Sequence, residues 1–419
     1  MERLIFHIDV NSAFLSWESA RRVSLGQEDL RLIPSAIGGS REKRTGVILA
    51  KSIPAKKFGI RTGEPVSSAL RKCPDLTLAR PDFALYQQCS RAFVEICREY
   101  APVVEQVSID ECFLDMTGTG RIYPDPLAIA HTIRNRIRDT LGFTVNVGIG
   151  SCKLLAKMAS DFEKPDKVHT LFPQEIPGKL WPLPVGELFT VGAATARKLE
   201  GAGIRTVGQL AACDISRLER LTGHKLARHL HDYANGIDPS PVLSEPAEAK
   251  GYSISVTLEE NVTTLSQAHD ILLSLADSVT QRMRADRVRA GCIGVTIRSW
   301  DFKNRSHQRT LPELTDLYKE VFQTGLQLFS EVWDSRTPLR LIGISLTQIS
   351  REEESQLSLF PDEQREKARR LDRAYDAIHA KFGSSAITRG TRMQKGPQVG
   401  KKYAAQLETL RKENESPED

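Results

Sequence analysis

A multidomain α+β fold is predicted for this sequence on three observations. Its 419 residues exceed what one ordinary core takes up, at about 100–200 residues per domain. Short apolar, strand-like runs mix with amphipathic helical stretches in two separate regions, residues 4–173 and 251–348. Between them, short glycine-punctuated helices and then a polar tether divide the chain.

In the first region, residues 4–8 (LIFHI) and 46–50 (GVILA) read as short buried strands. Residues 103–109 (VVEQVSI) and 112–116 (CFLDM) read as a strand pair joined at Asp110-Glu111. Helices are expected near 83–100 and 126–141, the second with Ile129, Ile133 and Ile137 at i, i+4 spacing. Together these predict a sheet with helices on one side. Over 174–233 strand signals fade and short helices take over, as in 191–199 (VGAATARKL) and 204–210 (IRTVGQL). Residues 235–250, rich in Pro, Ser, Glu and Ala, have no apolar periodicity and read as a linker. The second region predicts strands at 252–257, 292–299 and 339–347, with helices near 266–285 and 313–332. In the tail, Leu371, Tyr375, Ile378 and Phe382 would line the packing face of a helix near 364–382. A polar end past about residue 404 is expected to be disordered.

With 58 basic against 53 acidic residues, the net charge of +5 identifies no partner by itself. Its distribution says more. Residues 282–309 hold eight basic side chains against Asp286 and Asp301. Arg282, Arg284, Arg287 and Arg289 fit a solvated helix face equally well. Arg298, Lys303, Arg305 and Arg309, with Trp300 and Phe302 among them, suit a surface that tracks a phosphate backbone, with salt-sensitive binding. The seven cysteines show neither CxxC nor Cys/His metal spacing, so thiols in a reducing compartment are expected, without zinc or disulfides. No run approaches the ~18 apolar residues of a membrane span; a cytoplasmic protein without a membrane partner is expected.

Asp9 follows an apolar strand, and Asp110 and Glu111 sit at the junction of a strand pair. If those strands are neighbours, three carboxylates converge at a sheet edge, a site for hard cations such as magnesium. Spacing alone leaves open that these are merely the acids favoured by strand ends and turns.

Residues 7–18 (HIDVNSAFLSWE), 46–60 (GVILAKSIPAKKFGI), 107–115 (VSIDECFLD) and 147–165 (VGIGSCKLLAKMASDFEKP) resemble, in order, the motifs of Y-family DNA polymerases, in particular their bacterial polymerase IV group. The likeness runs from residue 4 to about 350, and Ser108-Ile109-Asp110-Glu111 is its most specific element. The resemblance implies a right-hand polymerase with a ferredoxin-like α+β palm (1–10 and 76–173) and small fingers (11–75). A helical thumb with a helix-hairpin-helix (174–234), the linker (235–250), an α+β little finger (251–350) and a tail (351–419) would follow. It implies that Asp9 and Asp110 bind two magnesium ions, assisted by the Val10 carbonyl and completed by Glu111 near the primer hydroxyl.

By the same resemblance Phe14 lies under the sugar of the incoming nucleotide as a gate against a 2′-hydroxyl, whereas on its own it reads as a core Phe. Lys164, in the Glu163-Lys164-Pro165 turn, would reach the triphosphate. Lys56 would also hold it, but the family pattern Tyr-x-Ala-Arg stands here as Ile53-Pro54-Ala55-Lys56, without a bidentate fork or a tyrosine hydroxyl. Lys51 or Lys57 offer compensation. Asn11 and Ala13 are further departures, since the polymerase IV group usually has Asp at the first and often an aromatic at the second. Gly192 and Gly203 would let a helical hairpin approach DNA phosphates, although such hairpins are also common packing units. Gln356, Leu357, Leu359 and Phe360, in the pentapeptide 356–360, resemble the peptide with which bacterial polymerases bind the sliding clamp; the alternative is a local patch covering the preceding domain.

The expected function is template-directed, low-fidelity translesion synthesis by a monomer that takes primer-template DNA and dNTPs, in DNA damage tolerance and repair. Two alternatives stay open. Ile53 and Lys56 motivate a catalytically weakened, clamp-tethered DNA-binding scaffold, and the carboxylates alone would serve another two-metal palm enzyme such as a nucleotide cyclase.

Overall fold

The computed structural model of the chain describes residues 3–39, 46–245, 248–351, 363–383 and 386–387. The chain divides into two compact units, the first over Met1–Gly39 and Val47–Ala247, the second from Glu248 onward. No helix among the described residues is long and apolar enough to cross a membrane.

The first unit contains, in chain order, β1 (Ile5–Val10), β2 (Ser35–Gly38), β3 (Ile48–Lys51), β4 (Thr77–Ala79), β5 (Val103–Gln106), β6 (Glu111–Asp115), β7 (Val145–Gly150) and β8 (Val168–Leu171). Five of them form a sheet in the order β5-β6-β1-β7-β8, and the other three form a smaller sheet ordered β3-β2-β4. β1 is central, antiparallel to both neighbours, and buried along its whole length. Its side chains alternate between the two faces. Phe6, Ile8 and Val10 share a core with Tyr86 and Phe93 of the helix Phe83–Arg98 and Ile133 of the helix Pro126–Leu141. Ile5, His7 and Asp9 therefore belong to the opposite face.

That opposite face is covered as well, which corrects the expectation of helices on one side. The helix Lys153–Asp161 lies on it, with Ala156 clustered against Ile5 and Phe113, and Ser160 Oγ 2.8 Å from His7 Nδ1. The cause is in β7, where Gly148 pairs with His7 and Gly150 with Ile5. A Cβ on Gly148 would clash with the Ala156 carbonyl oxygen and the Ser160 nitrogen, so only bare backbone lets this helix close on the sheet. The helix has a second consequence, because it carries Lys157 to the carboxylates.

Beyond β8 the first unit is helical as far as Ala234, around a core that includes Leu180, Leu199, Leu210, Leu218 and Leu230. The helices Ala193–Gly201 and Val207–Ala211 form the expected hairpin, the second capped reciprocally by Thr206 and Gln209.

In the second unit β9 (Gly251–Val262), β10 (Val288–Ser299), β11 (Asn304–Thr315) and β12 (Leu339–Arg351) form an antiparallel sheet ordered β11-β10-β12-β9. Its apolar face packs with Leu272 and Val279 of the helix Leu265–Ala285 and Val321 and Phe329 of the helix Tyr318–Val332. β11 corrects the sequence reading, which leaves a loop after residue 299 and starts the next helix near 313. It is a mostly exposed edge strand with almost no apolar alternation, held by its ladder to β10, where Arg298 faces Asn304 and Ile293 faces Arg309.

The helix Glu363–Phe382 docks on this unit by a face that overlaps the expected one at Tyr375 and at half-buried Ile378 but is turned away from its two ends. Leu371 and Phe382 are 63% and 65% exposed, whereas Asp372, Tyr375 and His379 are buried. The seam is ionic. Arg284, itself largely buried, donates to both Asp376 oxygens at 2.6 and 2.9 Å, while Asp372 accepts from the Tyr318 amide at 3.0 Å. A buried arginine needs its carboxylates more than the helix needs another apolar contact.

Candidate active site

Asp9 is opposite Glu111 on β6 and Asn146 on β7. Directly opposed residues of an antiparallel pair share a face, so the Asp9 and Glu111 carboxylates converge. Glu111 is the first residue of β6 and not part of the turn; Asp110 is in the turn. The Asp110 main-chain oxygen accepts from the Val10 amide at 3.0 Å, and its carboxylate accepts from Ser108 Oγ at 2.6 Å.

Two ammonium groups lie among these acids. Lys157 Nζ is 2.7 Å from Glu111 Oε1 and 3.4 Å from Asp9 Oδ2, and Lys164 Nζ is 3.1 Å from Asp9 Oδ2 and 2.8 Å from Asp161 Oδ1. Burial raises the Asp9 carboxyl to about 6, against the pull of Lys164 and Lys157. Glu111 moves the other way, held low by His7, whose Nε2 is 3.6 Å away, and by Lys157. His7 is itself pushed down by burial. These acids are too buried to stand uncompensated, and the lysines supply the positive charge.

The donor set fits a hard divalent ion such as magnesium: Asp9, Asp110 and Glu111 offer carboxylate oxygens and Val10 a carbonyl. Among the described residues no three His, Cys, Asp or Glu side chains are gathered as a ready metal cage. A cation held by Asp9 and Asp110 would share Asp9 with the Lys157 and Lys164 ammonium groups and Asp110 with the Ser108 hydroxyl.

Beside the acids opens a cleft of about 240 Å³. Asp9, Val10, Ser12, Ala13 and Phe14 line it from the end of β1, Asp110 from the hairpin, and Leu49, Ala50, Lys51 and Thr62 from β3 and the segment after it. Phe14, half-buried on the first turn of the helix Ala13–Ser24, stacks on Tyr86 with centroids 4.7 Å apart and planes at 16°. It is both a core member and a wall of the cleft. Lys56 is exposed and, like Ile53, does not line the cleft, whereas Lys51 does.

Sequence reading missed Lys157 and Asn146. Lys157 stands four residues after Lys153, a spacing that suggests a solvated helix face, and only the glycines of β7 hint that this helix is pressed to the sheet. Asn146 Nδ2 donates to the Ser160 and Glu163 carbonyls at 2.9 and 2.6 Å, and its Oδ1 accepts from Asn11 Nδ2 at 3.1 Å. Asn11 Oδ1 accepts from Thr144 Oγ1 at 3.0 Å and from the Asp166 amide at 2.9 Å. The two amides thus clamp the turn that carries Lys164. Asn11→Asp, the residue the resemblance leads one to expect, would set two acceptors face to face and leave a buried polar atom unsatisfied. The expected result is a loss of about 1–3 kcal/mol in stability and weaker nucleotide use, measured by denaturant unfolding and by KM for dNTP; unchanged values in both would refute the clamp.

The DNA-binding candidates are distributed over both units. Gly192 caps the helix Ala193–Gly201 in an extended conformation with open space where a Cβ would be, and Gly203 has φ +86°, which favours glycine. In the second unit Arg305 is exposed, Arg298 Nε donates to Asn304 Oδ1 at 2.7 Å, Lys303 pairs with Asp301 at 2.8 Å and Arg309 with Glu331 at 2.5 Å. Local carboxylates thus offset part of the positive charge counted from sequence. Gln356, Leu357, Leu359 and Phe360 lie outside the described residues.

Residues 8–161 match the model of the impB/mucB/samB family, residues 249–359 the C-terminal domain of that family, and residues 186–238 a DNA polymerase-iota thumb domain. A protein of Clostridium acetobutylicum named DNA polymerase IV is 40% identical over 397 residues, covering 94% of this chain and 99% of that one. One of Bacillus subtilis, named DNA polymerase IV 1, is 36% identical with 94% of each chain covered. A solved Y-family DNA polymerase chimera shares the fold, with a TM-score of 0.72 at 22% identity, over 83% of this chain and 100% of the chimera. With relatives this similar along nearly their whole length, the chain belongs to the impB/mucB/samB family, the Y-family DNA polymerases.

Proposed function

We propose that the chain is a template-directed, low-fidelity translesion DNA polymerase that adds dNTPs to a primer 3′-hydroxyl, in DNA damage tolerance and repair. The observation that carries this is a single cleft in which Asp9 and Asp110 share walls with Phe14, Lys51 and Thr62. Family membership gives that cleft its substrates. Asp9, Asp110 and Glu111, with the Val10 carbonyl, would hold two magnesium ions, which when bound supply a more acidic primer hydroxyl and charge compensation for the leaving pyrophosphate. Phe14 presents a flat ring where a deoxyribose lies, and Lys164 moves its ammonium from Asp9 to the triphosphate. One oxygen–phosphorus bond forms to the primer, one breaks to pyrophosphate, and the hydroxyl proton passes to solvent.

Thumb backbone around Gly192 and Gly203 would meet phosphates without reading sequence. Arg298, Lys303, Arg305 and Arg309 would grip the duplex, exchanging their local carboxylate partners for phosphates where they have them. Residues 356–360 would tether a monomer to the sliding clamp, which raises its effective concentration at the primer. The open cleft, with small fingers to close over it, favours lesion tolerance over fidelity.

The experiment is primer extension with magnesium and four dNTPs, on an undamaged template and on one carrying a single minor-groove guanine adduct. Extension past both is expected. DNA binding without extension on either would move the assignment to the clamp-tethered scaffold.

A further inference from the structure

We infer that Lys51 and Thr62 hold the triphosphate of the incoming nucleotide in this chain, in place of the Ile53 and Lys56 positions where the family pattern puts its tyrosine and arginine. This rests on the polymerase reading of the cleft. Ser52 Oγ accepts from the Ala55 amide at 3.0 Å and starts the helix Ile53–Lys57 immediately after β3. Positions three apart on a helix share a side, and both Ile53, 54% exposed, and Lys56 lie open to solvent and away from the cleft lining. Lys51 precedes that helix, in the last position of β3, and lines the cleft together with Thr62.

Lys51 Nζ donates to Thr62 Oγ1 at 3.3 Å, and among the described residues no carboxylate forms an ion pair with it. Its neighbours differ sharply from those of Lys157 and Lys164, which are both neutralised by acids. Partial burial, and then the charge of Lys56, push the Lys51 ammonium toward its neutral form, opposed in part by Glu64, which is itself paired with Lys72 at 2.6 Å. A half-buried ammonium with no carboxylate in ion-pair contact among the described residues, beside a hydroxyl, calls for an anion. The cleft is therefore polarised, with carboxylates at Asp9 and Asp110 on one side, the ring of Phe14, and a cation with a hydroxyl on the other. A deoxynucleoside triphosphate with its magnesium has the matching order of charge.

The test compares Lys51→Ala, Thr62→Val, Lys51→Arg, Lys56→Ala and the exposed control Arg71→Ala, by steady-state single-nucleotide extension and thermal unfolding. Lys51→Ala is expected to raise KM for dNTP about tenfold with kcat changed by less than about threefold. Its affinity for primer-template and its unfolding temperature should stay at the wild-type values. Thr62→Val should raise KM by a smaller factor, Lys51→Arg should recover most of the loss, and Arg71→Ala should match wild type. A wild-type KM in Lys51→Ala, or a larger rise in Lys56→Ala, would overturn the inference. Calorimetric binding of dATP with calcium to the full chain separates the two levels. If wild type binds dATP without extending primers, the polymerase reading fails while the Lys51→Ala affinity still decides this one, and no dATP binding by wild type overturns both.

Discussion

Asp110→Asn is expected to reduce magnesium-dependent primer extension by at least about 10³-fold, roughly 4 kcal/mol of transition-state stabilisation. Affinity for primer-template should hardly change. The amide keeps an oxygen to accept from Ser108 Oγ, at 2.6 Å in the native hairpin, and leaves untouched the main-chain bond from the Val10 amide to the Asp110 oxygen. The fold therefore has no reason to loosen, and an unchanged unfolding temperature is part of the prediction. What is lost is the anionic oxygen on the cleft side of the hairpin, across from Asp9. Asp110→Ala should match it in extension while also releasing Ser108. Extension that survives in Asp110→Asn would remove Asp110 from the metal site and leave Asp9 and Glu111 to hold cations by themselves.

Removing the ion tests the same site from the other direction. Without magnesium the acids keep Lys157 and Lys164 as partners, so chelation should stop extension without unfolding the chain. A zinc-finger-like collapse on chelation is not expected, because the lysines already supply compensating charge.

The carboxylates were legible in part, because an apolar strand leading to Asp9 and a strand pair joined at Asp110-Glu111 bring them to one sheet edge only if those strands are neighbours. The β1–β6 register then brings Asp9 opposite Glu111. The position of Lys157 was not legible, because it depends on how closely a helix approaches a sheet, and that is set by two glycines on β7, a strand absent from those read in the sequence. β11 escaped for the opposite reason. Its ladder with β10 satisfies the backbone while its side chains stay in water, so it carries almost none of the apolar alternation by which strands are found. On the helix Glu363–Phe382 the apolar stripe located the packing face only at Tyr375 and Ile378, while Leu371 and Phe382 stay exposed, since Arg284 recruits Asp372 and Asp376 from a distant part of the chain. Polar pairing across long sequence separations is what composition and periodicity see least.

Phe14→Ala is expected to raise ribonucleotide incorporation relative to deoxyribonucleotide by about 10²-fold, measured as the ratio of kcat/KM for CTP and dCTP on one template. The ring cannot swing aside to admit a 2′-hydroxyl in the native chain. Tyr86 is wholly buried behind it, in face-to-face contact at 4.7 Å, and Phe83 abuts the stack edge-on at 6.1 Å. Removing the ring opens space in the cleft, and it also removes part of an aromatic cluster, at a cost of about 1–3 kcal/mol for a half-buried side chain, below the full core value. Loss of stability would lower the rates for CTP and dCTP alike and leave their ratio unmoved, so the ratio isolates the gate from the packing role. Phe14→Tyr provides the complement, because it keeps the flat ring and should keep the sugar preference. If Phe14→Ala still extends primers with the wild-type ratio, the ring is a core residue that happens to border the cleft, and sugar selection belongs elsewhere on its wall.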